Sequence, residues 1–123
     1  MLTKVILSLA ANRYQKSNLA RARRCLGEVL TDISYTAEQW TNPMGGTRKE
    51  LYLNQLAAGY TTLTREELMQ RCKTIEHDFG RTPQKRRLGI VPIDIDILLY
   101  GEQRMHESDW DRPYIASLMQ ELQ

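Results

Sequence analysis

The chain has 123 residues, of which 41% are hydrophobic and 26% charged, and its formal net charge at pH 7 is +2. This length predicts a single domain over residues 1–123, and the composition excludes disordered, collagen-like and coiled-coil proteins. No apolar run reaches the roughly 18–20 residues of a membrane span, and the charge is too small to indicate a nucleic-acid partner. Two cysteines without metal-site spacing predict core thiols in a reducing cytoplasm.

The first half of the chain alternates between strand and helix patterns. Residues 4–10 are β-branched and aliphatic, which predicts a buried strand. From Ser17, an N-cap residue type, apolar side chains recur at helical spacing as far as residue 30, with arginines on the solvated face. Residues 33–41 and 51–62 predict the two strands of a long hairpin around a loop that contains Pro and Gly.

The second half begins with a helix and returns to a strand. Thr64 and Glu67 have the spacing of a capping box, and the helix that they open ends at Gly80. Residues 80–92 are rich in Gly, Pro and basic side chains and contain no acid, which predicts a mobile loop. Residues 93–100 give the clearest strand pattern in the chain.

The order of these elements predicts the fold. It reads β-α-β-β-α-β, and a short final helix begins at about Tyr114. Short amphipathic helices between strands indicate an α+β domain of the ferredoxin-like kind, in which an antiparallel sheet carries the helices on one face. The right-handed crossover rule allows this topology without a knot.

The last predicted strand carries the strongest chemical signal. Ile93, Ile95 and Ile97 share one face of this strand, so Asp94 and Asp96 share the other. The two Asp Cβ atoms should lie about 6.5–7 Å apart, and such close carboxylates repel unless a cation lies between them. Their hard oxygen ligands suit Mg²⁺, as one ion or as a pair. The alternative is an ordinary edge strand with its acidic face in water.

A basic loop precedes this acidic strand. Its cations are Arg81, Lys85, Arg86 and Arg87. Cations on a flexible loop beside a metal-binding carboxylate pair are what a polyphosphate needs, because the metal and the guanidinium forks neutralise different phosphate oxygens. Together the two features favour a nucleotide–Mg²⁺ site, and the alternative is a solvated basic loop that balances the Asp pair.

A third motif suits a flat heterocycle. Alternation places Tyr52 and Asn54 on one strand face, where a ring can stack on the ligand and an amide can both donate and accept hydrogen bonds. Backbone amides of residues 41–46 could line the edge of the same pocket. The ligand would be a pterin or a purine; alternatively, the two side chains are a cross-strand Tyr and a turn-adjacent Asn.

No other residue pattern indicates a catalytic group. His77 and His106 are far apart in sequence and are expected to be surface or helix-end histidines. No Ser or Cys has the setting of a nucleophile. The Gly45-Gly46 pair is not followed by the Gly-Lys-Thr/Ser of a phosphate loop.

In this order, the motifs resemble the 6-hydroxymethyl-7,8-dihydropterin pyrophosphokinase family of folate biosynthesis. The segments that carry the resemblance are Ala10-Ala11-Asn12, Thr41-Asn42-Pro43-Met44-Gly45, Tyr52-Leu53-Asn54, Ile75-Glu76, Gly80-Arg81 and Arg87-x-Gly89-x-x-x-x-Asp94-Ile95-Asp96-Ile97-Leu98. The last segment is the most specific, because the family signature runs from a basic residue and Gly into Asp-aliphatic-Asp.

The resemblance implies a ferredoxin-like core and an enzyme that transfers pyrophosphate from ATP to the pterin with two Mg²⁺ ions, releasing AMP. It implies that Asp94 and Asp96 hold both metal ions and act with Arg81 in catalysis. The implied pterin-binding residues are Thr41, Pro43, Met44, Gly45, Tyr52 and Asn54. The predicted nucleotide-binding residues are Glu76 and Arg81, which the resemblance implies, Arg86 and Arg87, which the basic loop indicates, and Ile97. The expected partners are these small molecules, with no nucleic acid and no membrane, and the oligomeric state is open.

Three positions depart from the family pattern and keep a second function open. Leu88, Val91 and Tyr114 stand where the family usually has an aromatic residue, a pyrophosphate-binding arginine and a histidine, and Arg86 or Arg87 could compensate. The alternative is a relative that binds nucleotide, pterin or a protein partner without turnover. RNA binding is a third class, but the aromatic-rich pattern of RNA-recognition strands is missing.

Overall fold

A computed structural model describes residues 1–43 and 50–122. Its strands are β1 (Thr3–Ala11), β2 (Thr31–Tyr35), β3 (Gln39–Thr41), β4 (Tyr52–Thr61), β5 (Asp94–Tyr100) and β6 (Gln103–Arg104). Its helices are α1 (Gln15–Leu26), α2 (Arg65–Asp78), α3 (Pro83–Arg87) and α4 (Pro113–Gln120), with a 3₁₀ helix at Glu107–Asp111. Within the described ranges, no helix is both long enough and apolar enough to cross a bilayer.

The strands form one antiparallel sheet in the order β2-β4-β1-β5-β6, and the short strand β3 also pairs with β4. The longest strands, β1 and β4, therefore occupy the middle of the sheet. The α+β class and the ferredoxin-like fold predicted from the sequence are confirmed.

The two faces of the sheet are covered differently. Alternate residues of β1, such as Val5 and Leu7, belong to the main core with residues of α1 and α2, as predicted for the two helices that lie between strands. On the opposite face, Ile115 and Leu118 of α4 pack with Ile6 and other apolar residues of the sheet in a smaller core. The polar ends of β1, β4 and β5 on this second face lie outside that smaller core and line a cavity.

The predicted strand over residues 33–41 is two strands, β2 and β3. Thr36 lies between them, buried to 4% exposure. Its hydroxyl accepts a hydrogen bond from the Leu56 N–H at 3.0 Å and donates one to the Ala37 carbonyl at 2.9 Å. Because this side chain takes the place of backbone partners, the ladder is interrupted.

The helix termini agree with the sequence pattern at α2 but not at α1. The capping box is confirmed: the Glu67 N–H donates to Thr64 Oγ1 at 3.1 Å, and the Thr64 N–H donates to Glu67 Oε1 at 2.8 Å. Helix α1 begins two residues before the predicted N-cap, Ser17. Tyr14 precedes it in a left-handed conformation with φ 45°, and the Ser17 hydroxyl donates back to the Tyr14 carbonyl at 3.1 Å.

The predicted loop over residues 80–92 contains the short helix α3, which is a correction to the sequence reading. The Thr82 hydroxyl caps this helix by accepting from the Lys85 N–H at 3.1 Å, and Pro83 is in its first turn. The end of this segment is held beside β1 by Asn12, the residue that follows the strand. The Asn12 side chain donates to the Gly89 carbonyl at 2.8 Å and accepts from the Val91 N–H at 2.7 Å.

Candidate active site

Strand β5 presents the two predicted carboxylates side by side. Asp94 is the cross-strand partner of Ala10, and Asp96 is the partner of Ser8. Their side chains are 34% and 32% exposed, so both carboxylates are half-buried. Ile95, between them, is buried in the core on the helix side, as the alternation of a strand predicts.

Asp94 and Asp96 line two cavities. The first, here the α2 cavity, has a volume of about 660 Å³ and is lined by residues of α2, α3 and β5. The second, here the sheet cavity, has a volume of about 450 Å³ and is lined by residues of β1, β4 and the segment that leads into α4. Among the described residues, these two aspartates are the members common to both linings. They therefore mark the place where ligands in the two cavities would meet.

One guanidinium organises the α2 cavity. Arg81 Nη1 lies 2.7 Å from Asp94 Oδ1 and 3.0 Å from Glu76 Oε2. The same Glu76 oxygen accepts the outward N–H of Ile95 at 2.8 Å, which closes a free edge of β5. Burial raises the pKa of Glu76 above its ordinary value, against the Ile95 hydrogen bond and the Arg81 charge, which lower it.

Asp96 is the electrostatically strained member of the pair. Burial first, and then the charge of Asp94, raise the pKa of Asp96 to about 6, although His106 at 3.9 Å opposes this shift. The charged form is therefore costly in the absence of a cation. Cys72 also lines the α2 cavity. Burial raises the pKa of its thiol to about 12, and the charges of Glu76 and Asp96 raise it to a smaller extent. Cys72 is therefore an uncharged part of the cavity wall.

The donor set at the aspartates fits Mg²⁺. In residues 1–43 and 50–122, no group of three or more His, Cys, Asp or Glu side chains is placed to hold a metal ion. A metal at Asp94 and Asp96 would therefore need oxygen ligands from a substrate and from water. Mg²⁺ uses one or two carboxylates together with substrate phosphates in this way, and it would relieve the mutual repulsion of the pair.

The sheet cavity has a narrow polar floor. Asn54, Ala10 and Asp94 are successive cross-strand neighbours, so the Cα atoms of Asn54 and Asp94 lie about 10 Å apart with a small side chain between them. Asn54 Nδ2 donates to Thr41 Oγ1 at 2.8 Å and to the Gln39 carbonyl at 2.9 Å. Its Oδ1 is an acceptor that a ligand N–H group can use.

The structure gathers most of the predicted site residues around Asp94 and Asp96. The residues placed in the α2 cavity are Glu76, Arg81, Arg86 and Ile97. The residues placed in the sheet cavity are Thr41, Tyr52 and Asn54. Arg87 is exposed on α3 and lines neither cavity, and Pro43 lies just beyond the sheet-cavity residue Asn42. Met44 and Gly45 are outside the described residues.

Sequence reasoning gave no site role to His106, Asp109 or Arg112 in the segment between β5 and α4, and it noted Tyr114 only as a departure from the family pattern. His106 is an exposed residue at the start of the 3₁₀ helix, as expected, with its side chain 45% exposed, and it also lines the α2 cavity. Asp109, Arg112 and Tyr114 line the sheet cavity. No periodicity marks these residues; the signal is Gly101, whose φ of 63° turns the chain back beside β5.

Comparisons with known proteins point to one family. Residues 6–123 match the family model for 7,8-dihydro-6-hydroxymethylpterin-pyrophosphokinase. A folate synthesis bifunctional protein of Arabidopsis thaliana is 28% identical over 97% of this chain and 27% of its own length. A mitochondrial folate synthesis bifunctional protein of Pisum sativum is 36% identical over 97% of this chain and 25% of its own.

A shorter relative is also similar. The 2-amino-4-hydroxy-6-hydroxymethyldihydropteridine pyrophosphokinase of Methylorubrum extorquens is 34% identical over 80% of this chain and 64% of its own length. The chain thus spans about a quarter of the plant proteins that it matches and less than two thirds of the bacterial one.

Proposed function

The chain belongs to the 7,8-dihydro-6-hydroxymethylpterin-pyrophosphokinase family, and from this membership we propose that it transfers pyrophosphate from ATP to 6-hydroxymethyl-7,8-dihydropterin in folate synthesis. The pterin hydroxyl oxygen bonds to the β-phosphorus of ATP as the bond from that phosphorus to the oxygen shared with the α-phosphate breaks. AMP leaves with that oxygen, and the hydroxyl proton passes to water. Such a transfer depends on positioning and charge neutralisation more than on covalent help from the protein.

The observation that carries the proposal is the pair of cavities that meet at Asp94 and Asp96. A transfer between two substrates needs two adjoining sites with the reacting groups at their junction. The α2 cavity offers Arg81 and Arg86 to phosphates and the apolar Ile97 to a base. The sheet cavity offers a polar floor to the acceptor.

Asp94 and Asp96 would hold Mg²⁺, for which the family implies two ions. When bound, the metal would supply neutralisation of the phosphate charge. Arg81 would bind phosphate oxygens with its guanidinium fork, while Glu76 continues to cap the edge of β5. Arg87, outside both cavities, would act only at longer range.

On the acceptor side, Asn54 Oδ1 would accept a hydrogen bond from an N–H group of the pterin, and Tyr52 would stack on its ring. Thr41 holds the Asn54 amide in place through a bond of 2.8 Å. From the family pattern we assign Pro43, Met44 and Gly45 to the same pocket. No nucleic-acid partner is proposed.

The second candidate function is binding without turnover. It is favoured by Val91, whose side chain carries no charge and whose N–H is already engaged by Asn12 Oδ1 at 2.7 Å. A family member that lacks a phosphate-binding arginine there would need another cation to stabilise the transferred group.

For location, we propose the cytoplasm, because Cys25 and Cys72 are free thiols. The names of two plant relatives place those proteins in mitochondria.

The proposed reaction is tested by incubating the protein with ATP, Mg²⁺ and the hydroxymethyl-dihydropterin and measuring AMP. We expect AMP release by wild type and its loss in Asp94→Asn and Asp96→Asn. Asp32→Asn is the matched control, because Asp32 is exposed on the outer strand β2 in a left-handed conformation that Asn tolerates. Folded protein that releases no AMP rejects the reaction, and calorimetric binding of both substrates would then support the second function.

A further inference from the structure

We propose that Arg112 forms a diphosphate-binding subsite in the sheet cavity, beside Asp94 and Asp96; this inference rests on the proposed function and adds a residue to it. Among the described residues that line the sheet cavity, Arg112 is the one cation. The other charged members of that lining are Asp94, Asp96 and Asp109. A polyanion that enters this cavity therefore meets one guanidinium among several carboxylates.

The need for this cation follows from where the transferred group must go. Arg81 and Arg86 line the α2 cavity but not the sheet cavity. When the diphosphate becomes attached to an acceptor in the sheet cavity, it moves away from Arg81 and Arg86 and loses contacts with them. Among the described residues of the sheet-cavity lining, Arg112 is the side chain that can neutralise the negative charge of the diphosphate there.

The backbone of Arg112 is well fixed. Its N–H donates to the Asp109 carbonyl at 3.1 Å, and its own carbonyl accepts from the Ala116 N–H at 3.0 Å. Pro113 follows it as the first residue of α4. The residue therefore leads from the 3₁₀ helix into α4 at a defined place beside the cavity, so little ordering of the backbone is needed when an anion binds.

The side chain of Arg112 is oriented but not enclosed. Its Nη2 lies 3.2 Å from Asp109 Oδ1. The side chain remains 39% exposed. A guanidinium has five N–H donors, so the contact with Asp109 leaves donors for a bidentate contact with phosphate oxygens.

The test uses Mg²⁺ with inorganic pyrophosphate as the probe, titrated into the full chain by calorimetry. Arg112→Gln is expected to weaken pyrophosphate binding by about 10- to 100-fold, the loss of charge-assisted hydrogen bonds, and Arg112→Lys by less. Arg24→Gln, at an exposed position on α1 that lines neither cavity, is the control and should match wild type. Pyrophosphate affinity in Arg112→Gln within about twofold of wild type overturns the subsite.

A second measurement needs no variant, in case Arg112→Gln does not fold. Wild type is treated with phenylglyoxal, which modifies exposed arginines, and the modified residues are mapped by mass spectrometry. Mg²⁺-pyrophosphate should protect Arg112 and leave Arg24 reactive; equal reactivity of Arg112 with and without the probe counts against the subsite.

The outcomes also separate this inference from the proposed function. AMP release with no dependence on Arg112 sustains the function and rejects the subsite. Arg112-dependent pyrophosphate binding without AMP release sustains the subsite and rejects the reaction.

Discussion

Arg81 Nη1 donates a hydrogen bond of 2.7 Å to Asp94 Oδ1, so a cation proposed for ATP and a carboxylate proposed for Mg²⁺ are partners of each other. The same nitrogen lies 3.0 Å from Glu76 Oε2. One guanidinium therefore neutralises two half-buried carboxylates. A divalent ion at Asp94 would take over part of that neutralisation and make Arg81 available to phosphate, so Mg²⁺ and ATP should bind more tightly together than separately.

The arginines before β5 should contribute to ATP binding in an order set by their positions. Arg81→Gln is expected to weaken binding of a non-hydrolysable ATP analogue with Mg²⁺ by about 10- to 100-fold, because a charge-assisted contact is lost. Arg86→Gln should have a smaller effect, since Arg86 lines the cavity but is exposed, and Arg87→Gln the smallest. Calorimetry measures all three, and a larger loss for Arg87→Gln than for Arg81→Gln contradicts the proposed site.

Asp96 should make the stability of the metal-free protein depend on pH. The folded-state pKa is about 6, against an ordinary value of 3.8, so the folded protein holds this proton more tightly than the unfolded chain. The resulting stabilisation is fully present below the lower value and is lost as pH rises through about 6. EDTA keeps the protein free of metal ions. Under this condition, the Asp96 contribution to the unfolding free energy of wild type should fall by about 1–2 kcal/mol as pH rises from below 3.8 to above 6, after allowance for solvent screening.

Asp96→Asn isolates that contribution. In urea unfolding at about pH 7.5 the variant is expected to be more stable than wild type, and at about pH 4 the difference should nearly vanish. Asp32→Asn, exposed on β2, is the control and should follow wild type at both pH values. A variant less stable than wild type at the higher pH would show that the Asp96 carboxylate is not strained by its surroundings.

The sequence pattern was sufficient for features that depend on local periodicity. Alternation along residues 93–97 placed Asp94 and Asp96 on one face, and the spacing of Thr64 and Glu67 marked the start of α2, because both depend only on neighbours along the chain. The ferredoxin-like order followed from counting such elements.

What the pattern could not give is the shape of the sheet cavity. That cavity exists because α4 covers only part of the second sheet face, which depends on how Ile115 and Leu118 pack with residues distant in sequence. Arg112 lines the sheet cavity from the junction between the 3₁₀ helix and α4, where the sequence has no hydrophobic periodicity that would predict its position. Helix α3, at five residues, is too short for a helical pattern to emerge.

Asn12 should be important for stability, because it joins β1 to the segment that leads into β5. The residue is 2% exposed, and its side chain donates to the Gly89 carbonyl and accepts from the Val91 N–H. Asn12→Ala leaves both groups without this partner, which should cost about 2–3 kcal/mol of unfolding free energy. Urea unfolding measures this loss; Asn42→Ala, at an exposed position, is the control, and an equal effect of the two substitutions would refute the role of Asn12.

Thr41 should act on the acceptor substrate through Asn54. Its Oγ1 accepts from Asn54 Nδ2 at 2.8 Å and so helps to fix the orientation of the Asn54 amide, which lines the sheet cavity. Thr41→Val keeps the shape but removes the acceptor, and the KM for the pterin is expected to rise about 3- to 10-fold, the value of one neutral hydrogen bond. The KM for ATP should stay unchanged, because Thr41 does not line the α2 cavity. Thr41→Ser retains the hydroxyl and should behave as wild type; equal pterin KM values for the Val and Ser variants would mean that the hydrogen bond has no part in orienting Asn54.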